Sequence, residues 1–264
     1  MDLQLKGKRA LVTGSTAGIG YAIAQRLAAE GAQVWVNGRM QERVDGAVEK
    51  IKAATGNAEV QGVIADFADT NQIAALINQV PEVDILINNV AVFEPKEFAA
   101  ITDDDWLRFF EVNVMSGIRL SRAYFEGMLN RNWGRIIFIS SESALQIPAE
   151  MIHYGVSKTA QLGVARGLAE LTKGTDVTVN TVLPGPTLSE GVGSFIDALA
   201  ANQQKSVKEV EDDFFVSMRP TSLLQRFITP DEVANTVTYL SSPLAAATNG
   251  AAIRVDGGVI KTAV

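Results

Sequence analysis

The stretch Arg9-Ala10-Leu11-Val12-Thr13-Gly14-Ser15-Thr16-Ala17-Gly18-Ile19-Gly20 decides how the rest of the chain is read. Four residues of buried-strand character run into a glycine-rich turn. A segment of helical period follows, with Ile19, Ala22, Ile23 and Leu27 on one side. Glycines let the backbone turn sharply and approach a pyrophosphate, which the free N–H groups at a helix N-terminus attract. The spacing here, Gly14-x3-Gly18-x-Gly20, is not the common dinucleotide fingerprint. Taken alone, the turn also reads as a tight connection with close helix packing.

The same strand–helix alternation continues outward. Apolar runs predict strands at 33–36, 60–64, 84–87, 135–139, 177–182 and 252–255. Helical periods predict helices at 19–29, 41–54, 71–80, 104–131, 153–172 and 231–240. Repeated β-α units with strands apolar on both faces imply one doubly wound α/β domain over 1–264, a parallel sheet covered by helices on both sides. The stretch 186–229 has no strand, only helical candidates at 191–201 and 207–218. A connection of that length is usually functional, so it is expected to be a helical lid over the substrate.

Composition narrows the chemistry. The 264 residues carry 23 Lys+Arg against 30 Asp+Glu, one His and no Cys, a net charge of -7. A negative balance argues against a nucleic-acid partner. Without cysteine there is no disulfide framework, thiolate metal site or cysteine nucleophile, and one histidine builds no histidine cluster, so no metal is expected. A charged N-terminus and the lack of a long apolar run predict a cytoplasmic chain with no membrane partner.

Four further features share the order of the first turn. Asn88-Asn89-Val90-Ala91 follows the fourth strand, Asn113 lies in the long helix, and Ser140-Ser141 closes the fifth strand. Tyr154-Gly155-Val156-Ser157-Lys158 opens the next helix, and Pro184-Gly185 and Asp256-Gly257-Gly258 follow the last two strands. Tyr154 and Lys158 are four apart and share a helix face. A tyrosine near pKa 10 is a poor base at neutral pH, and a nearby ammonium favours tyrosinate. Tyr154 can then exchange a proton with a carbonyl or alcohol oxygen as general acid/base. The plainer readings are a half-buried aromatic and a solvated helix charge.

Across nearly its whole length the chain resembles the short-chain dehydrogenase/reductase family. The resemblance implies a Rossmann fold and interconversion of a carbonyl and a secondary alcohol by hydride transfer to or from a nicotinamide cofactor. It implies Asn113, Ser141, Tyr154 and Lys158 as the catalytic set: Ser141 bonding the reacting oxygen, Lys158 holding the nicotinamide ribose, and Asn113 anchoring a water behind Lys158. It places the cofactor on Gly14, Ser15, Thr16, Gly18, Ile19, Gly20, Gly38, Arg39, Asp66, Phe67, Asn89, Val90, Ala91, Tyr154, Lys158, Pro184, Gly185 and either Thr187 or Ser189. Relatives usually carry Ala-Gly where this chain has Val90-Ala91. The expected acidic position after the second strand falls on Gly38, and Arg39 beside it suits a 2′-phosphate, which favours NADP(H) over the still possible NAD(H). An exposed arginine also serves solubility, and Asp66 also serves as a helix N-terminal carboxylate.

Phe195, Ile196, Leu199, Phe214, Phe215 and Met218 give the lid apolar area, which points to a small, largely apolar carbonyl or alcohol substrate. Those residues also read as packing for the lid itself. His153 is expected to be a wall or surface residue, Glu142 either faces the substrate or caps a helix, and Glu209, Glu211, Asp212 and Asp213 form a solvated face. The family implies a homo-oligomer, a tetramer or dimer. Alternatives on the same fold are a 3-oxoacyl-carrier-protein reductase and a catalytically silent dinucleotide sensor or scaffold. The acid-rich lid argues against the first, and the intact Tyr154 and Lys158 against the second.

Overall fold

The structure is a computed structural model; it describes residues 1–263, except the side chains of Ser194 and Phe195. Strands β1 (Arg9–Val12), β2 (Gln33–Gly38), β3 (Val60–Ile64), β4 (Ile85–Asn88), β5 (Gly134–Ile139), β6 (Val177–Pro184) and β7 (Ala252–Val255) build one sheet. Among the described residues its order is β3-β2-β1-β4-β5-β6-β7, and every pairing is parallel. Ala10 stands between Val34 and Ile85, and Ile137 between Ile87 and Asn180. A parallel sheet hides both faces, which is why these strands read as unbroken apolar runs.

Successive strand residues point to opposite faces. On one face Val12, Val34, Val36, Ile85 and Ile87 pack with Ile23 and Leu27 of α1 (Gly18–Ala29), Ala47 and Ile51 of α2 (Gln41–Thr55), and Val233 and Val237 of α9 (Pro230–Leu240). On the other, Leu11, Leu86, Ile136 and Phe138 meet Ile73 and Leu76 of α3 (Thr70–Gln79), Tyr124 and Met128 of α5 (Ser116–Asn130), and Ala165 of α6 (Ile152–Glu170). Each fully buried side chain of this size contributes about 1.5–3 kcal/mol relative to exposure. The fold is the doubly wound α/β layer structure that the sequence predicts.

The long helix expected at 104–131 differs in its middle. It runs as α4 (Asp103–Phe110), a wider π turn over Glu111–Met115, and α5. A π turn inserts one extra residue, so the side chains on either side of it rotate relative to each other. Asn113 sits at that insertion.

The excursion between 186 and 229 holds α7 (Glu190–Gln203) and α8 (Val207–Ser217), close to the two helical candidates. Its ends are tied together at the base: Thr187 bridges Ile228, Leu188 N donates to Ile228 O at 2.9 Å, and Ile228 N donates to Pro186 O at 2.8 Å. Above that tie, Ile196, Ala200, Val210, Phe215 and Phe227 form a separate apolar cluster.

Candidate active site

The strand order reverses between β1 and β4, and in open α/β sheets ligands bind beyond the strand ends at such a point. The turn after β1 opens there. Gly14 and Gly18 take φ of +60° and +57°, a region that a β-carbon penalises. Gly20 is enclosed instead: a β-carbon would stand 2.4 Å from Gly14 O and 2.5 Å from Asn89 Nδ2. Asn37, at the end of β2, supports the turn from below. Its Oδ1 accepts from Gly14 N at 2.9 Å, its carbonyl accepts from Ser15 N at 2.8 Å, and its own N–H donates to Ser15 Oγ at 2.9 Å. Ser15 Oγ donates to Val12 O at 2.7 Å, so this hydroxyl, expected at the cofactor, is engaged inside the turn.

From β4, Asn89 Nδ2 donates to Thr13 O at 2.9 Å and Gly14 O at 3.0 Å. Val90 N donates to Thr13 Oγ1 at 3.0 Å, its side chain closes over Gly14, and Ala91 follows at the surface. Thr16 and Ile19 are half-buried beside the opening. The N-terminus of α1 has no capping side chain and no acid in its first turn, whereas α3, α4, α7, α8 and α9 are capped by Asp69, Thr102, Ser189, Ser206 and Thr229. An uncapped amide end against close-packed glycines fits an anionic diphosphate.

At the neighbouring edge a β-carbon on Gly38 would stand 2.6 Å from Thr16 Cγ2, leaving no room there for an acidic side chain. Arg39 is exposed, with Nη1 3.9 Å from Asp66 Oδ2. Asp66 Oδ1 accepts from Ala68 N at 3.0 Å, so it also shapes the turn before α3. Phe67 departs from expectation: its ring is buried in the core beside α3, where apolar area draws it away from the opening. Pro184 ends β6, and Gly185 lies so close to Asp256 that a β-carbon would stand 2.7 Å from Asp256 O. Thr187 Oγ1 donates to Gly185 O at 2.9 Å, while Ser189 stands against Gly18 at the mouth of the turn.

The first turns of α6 bring Tyr154 and Lys158 beside the end of β5. Lys158 is buried, its Nζ donates to Ile139 O at 2.9 Å, and it lies 5.6 Å from the Tyr154 ring centroid. Burial pushes its ammonium down to about 7. The protein's own groups push Tyr154 up, contrary to the lowering expected from a nearby ammonium: burial acts first and the Glu142 charge second, against the Ser141 hydroxyl and Arg219. Asn113 clamps the assembly. Its Oδ1 accepts from Val92 N at 2.7 Å, and its Nδ2 donates to Val92 O at 3.0 Å and Ser157 Oγ at 2.9 Å. Its carbonyl accepts from Gln161 Nε2 at 2.6 Å. His153 packs against Phe109 and Trp106, with ring centroids 4.0 and 6.1 Å away and no hydrogen-bond partner on either nitrogen among the described residues. It is a wall.

Ser141 meets a charged neighbour. Its Oγ donates to Glu142 Oε2, which also accepts from Ser143 N at 2.9 Å. Glu142 Oε1 accepts from Arg219 Nε at 3.0 Å, and both side chains are buried. Arg219 follows the end of α8, so the lid reaches the site through a guanidinium. The lid's apolar residues do not supply a substrate wall as expected: Ile196, Leu199, Phe214 and Phe215 pack into the lid's own cluster, because α7, α8 and Phe227 bury their stripes against one another. Met218 is exposed, and the Phe195 side chain lies outside the described residues. Sequence reasoning gave no role to Asn37, Gln161 or Arg219. The one signal for Arg219 was a basic residue closing the apolar run Phe214-Phe215-Val216-Ser217-Met218 of an acid-rich helix.

The family model described as short chain dehydrogenase matches residues 8–199. The chain is 50% identical to the uncharacterized oxidoreductase YvaG of Bacillus subtilis, over 99% of each chain. It is 31% identical to the 3-oxoacyl-[acyl-carrier-protein] reductase FabG of Aquifex aeolicus, over 98% of this chain and 100% of that one. Among solved structures, L-sorbose reductase from Gluconobacter frateurii, complexed with NADPH and L-sorbose, superposes with a TM-score of 0.93 at 31% identity, covering 99% of this chain and 100% of that one. Among the described residues no helix is long and apolar enough to cross a membrane.

Proposed function

Because this chain belongs to the short-chain dehydrogenase/reductase family and is an oxidoreductase, we propose that it interconverts a ketone and a secondary alcohol with NADP(H), Tyr154 acting as general acid/base. The observation that carries this reading is the convergence of Ser141, Tyr154, Lys158 and Asn113, with Asn113 bonded to Val92 in the loop whose Asn89 holds the uncapped turn of Gly14, Gly18 and Gly20. Bound along that turn, a nicotinamide dinucleotide supplies or accepts the hydride. Gly18, Ile19 and Gly20 would hold its diphosphate on their N–H groups, Asn89 and Val90 would flank it, and Arg39 would meet a 2′-phosphate where Gly38 leaves no carboxylate to repel it.

Tyr154 gives its proton to the ketone oxygen in reduction and takes one from the alcohol in oxidation. Lys158, held under Tyr154 by Ile139 O, replenishes that proton and binds the ribose end. Asn113 keeps α6 and the loop after β4 in register, so that the tyrosine and lysine meet the same oxygen and ring. The charged groups on the Ser141 side are Glu142, which takes its hydroxyl, and Arg219, which pairs with Glu142. These charges favour a substrate with polar groups near the reacting carbon over a largely apolar one, as with the sorbose bound in the similar reductase. Exposed Leu107 and Phe110 on α4 support a homo-oligomer, and the lack of cysteine accords with a cytoplasmic setting.

The test is a panel of ketones and alcohols with NADPH and NADP, wild type beside Tyr154→Phe. Tyr154→Phe is expected to reduce kcat by roughly 10²–10⁴-fold. Unchanged turnover on the best substrate overturns the mechanism. Equal kcat/KM with NADH and NADPH overturns the role of Arg39.

A further inference from the structure

Glu142 has an unusual density of partners for a carboxylate next to a catalytic serine. Oε2 takes the Ser141 hydroxyl, Ser143 N at 2.9 Å and Ser143 Oγ at 3.2 Å, and Oε1 takes Arg219 Nε at 3.0 Å. Arg219 in turn donates from Nη1 to Met218 O at 2.8 Å and to Glu150 Oε1 at 3.4 Å. The Glu142 and Arg219 side chains are 6% and 10% exposed, so little solvent screens the pair. Glu142 and Ser141 belong to the end of β5, whereas Arg219 belongs to the lid. One buried ion pair therefore joins the lid to the segment that carries Ser141.

A serine hydroxyl has one hydrogen and two lone pairs. Here the hydrogen goes to Glu142, one lone pair accepts from Ser143 N at 3.1 Å, and the hydroxyl also hydrogen-bonds Tyr154, whose ionised form it favours. Glu142 thus competes for the one hydrogen that Ser141 can give to the Tyr154 oxygen or to a ketone, and so sets the direction in which Ser141 works. Without Arg219 the carboxylate would be buried and unpaired, a state that proteins avoid by moving the group or protonating it. Either response releases Ser141.

We propose that Glu142 is a positioning residue for Ser141 and that Arg219 holds it in place only while the lid is seated, so that lid closure and alignment of the Ser141–Tyr154 pair are one event. The proposal rests on the reading of Tyr154 as the acid/base. The charged and titratable groups around that tyrosine are Lys158 on its own helix, Glu142 after β5, Arg219 from the lid and Glu150 behind Arg219; His153 faces Phe109 and Trp106 instead.

The experiment is the pH profile of kcat for oxidation of the best alcohol with NADP, for wild type, Glu142→Gln, Arg219→Met and the double variant. Removing the carboxylate charge alone is expected to move the acid limb down by about one pH unit, and removing the guanidinium alone to move it up by about one. The double variant, which leaves no buried unpaired charge and only the partly exposed Glu150 without its arginine, returns the limb close to wild type. Opposite shifts follow from the two charges alone, so the positioning role is read from kcat in a Ser141→Ala background, where Glu142→Gln is expected to lower kcat no further; a full additional loss there, or limb shifts in the same direction or none, overturns the proposal. Amide exchange over 207–219 is expected to accelerate in both single variants, and unchanged exchange overturns the latch whatever the turnover. If wild type oxidises no alcohol on the panel, the functional reading falls while the exchange arm still decides the latch. If Arg219→Met does not fold, Glu142→Gln and the double variant carry the decision.

Discussion

The glycine turn after β1 and the lid at 186–229 face the same cleft and are held in opposite ways. The turn is fixed through the backbone: Asn37 and Asn89 bind its amides and carbonyls, Thr13 ties its start to the loop after β4, and Gly20 tolerates nothing larger than a hydrogen. The lid is fixed by an apolar cluster of its own, a tie at its base, and ion pairs from Arg219 to Glu142 and from Arg43 to Glu190. A region fixed by its backbone presents one shape to a shared cofactor. A region with its own small core can swing as a unit without loosening the sheet. The difference assigns rigidity to the cofactor side and adaptability to the substrate side.

The largest expected effect lies on the rigid side. Lys158→Met should lower turnover by roughly 10²–10⁴-fold, the range for losing one acid–base partner. It should also change stability with the opposite sign. Burial pushes the folded-state ammonium down to about 7 from an ordinary value of 10.5, so below pH 7 the folded chain must carry a sheltered charge that the unfolded chain carries in water. Between pH 7 and 10.5 the unfolded chain binds the extra proton, and wild-type stability rises with pH relative to the variant. Thermal denaturation without cofactor should show Lys158→Met more stable than wild type near pH 7, the gap closing toward pH 10. A constant gap would mean that Lys158 is fully charged in the folded chain.

Next comes Gly20→Ala. Its β-carbon would stand 2.4 Å from Gly14 O and 3.0 Å from Ser15 Cα, backbone that cannot yield cheaply, and 2.5 Å from the Asn89 side-chain amide. The turn must deform, and NADPH affinity measured by fluorescence titration should weaken by about 100-fold or more, near 3 kcal/mol. An affinity within threefold of wild type would show that the turn is as compliant as the lid.

The same contrast explains what was legible in the sequence. Parallel strands advertise themselves as apolar runs, and a turn that demands glycine at fixed spacing leaves glycine in the chain, so Gly14, Gly18 and Gly20 and the succession of strands along the chain could be read directly. Tyr154 and Lys158 were legible because four residues make one helical turn. Asn37 was hidden because its role is to bond backbone 22 and 23 residues away, for which sequence has no periodicity. Asn113 was placed in a regular helix because a π turn differs from an α turn by one residue and carries no compositional mark. In the lid, a stripe such as Ile196, Leu199 and Phe215 reads identically whether it faces a substrate or another helix. Only three-dimensional packing tells them apart, and here it turned the stripe inward and put Arg219 at the site.

The smallest expected effect is the matched substitution on the other side of the cleft, Gly191→Ala. Gly191 lies in the first turn of α7, has no positive φ, and a β-carbon there meets nothing within 4 Å. Alanine restricts the unfolded chain and suits a helix, which is worth about 0.4–1 kcal/mol where the native backbone already permits it. That gain is local: it deepens the closed, helical state of the lid and leaves the sheet unchanged. NADPH affinity should therefore stay within experimental error of wild type, while amide exchange over 190–203 slows by roughly two- to fivefold. If product release depends on the lid loosening, kcat should fall by a similar factor while the chemical step, read in a single turnover, is unchanged. A Gly191→Ala variant that weakened NADPH as Gly20→Ala does would erase the distinction between the two regions, because it would mean that the lid's first turn is also part of the cofactor floor.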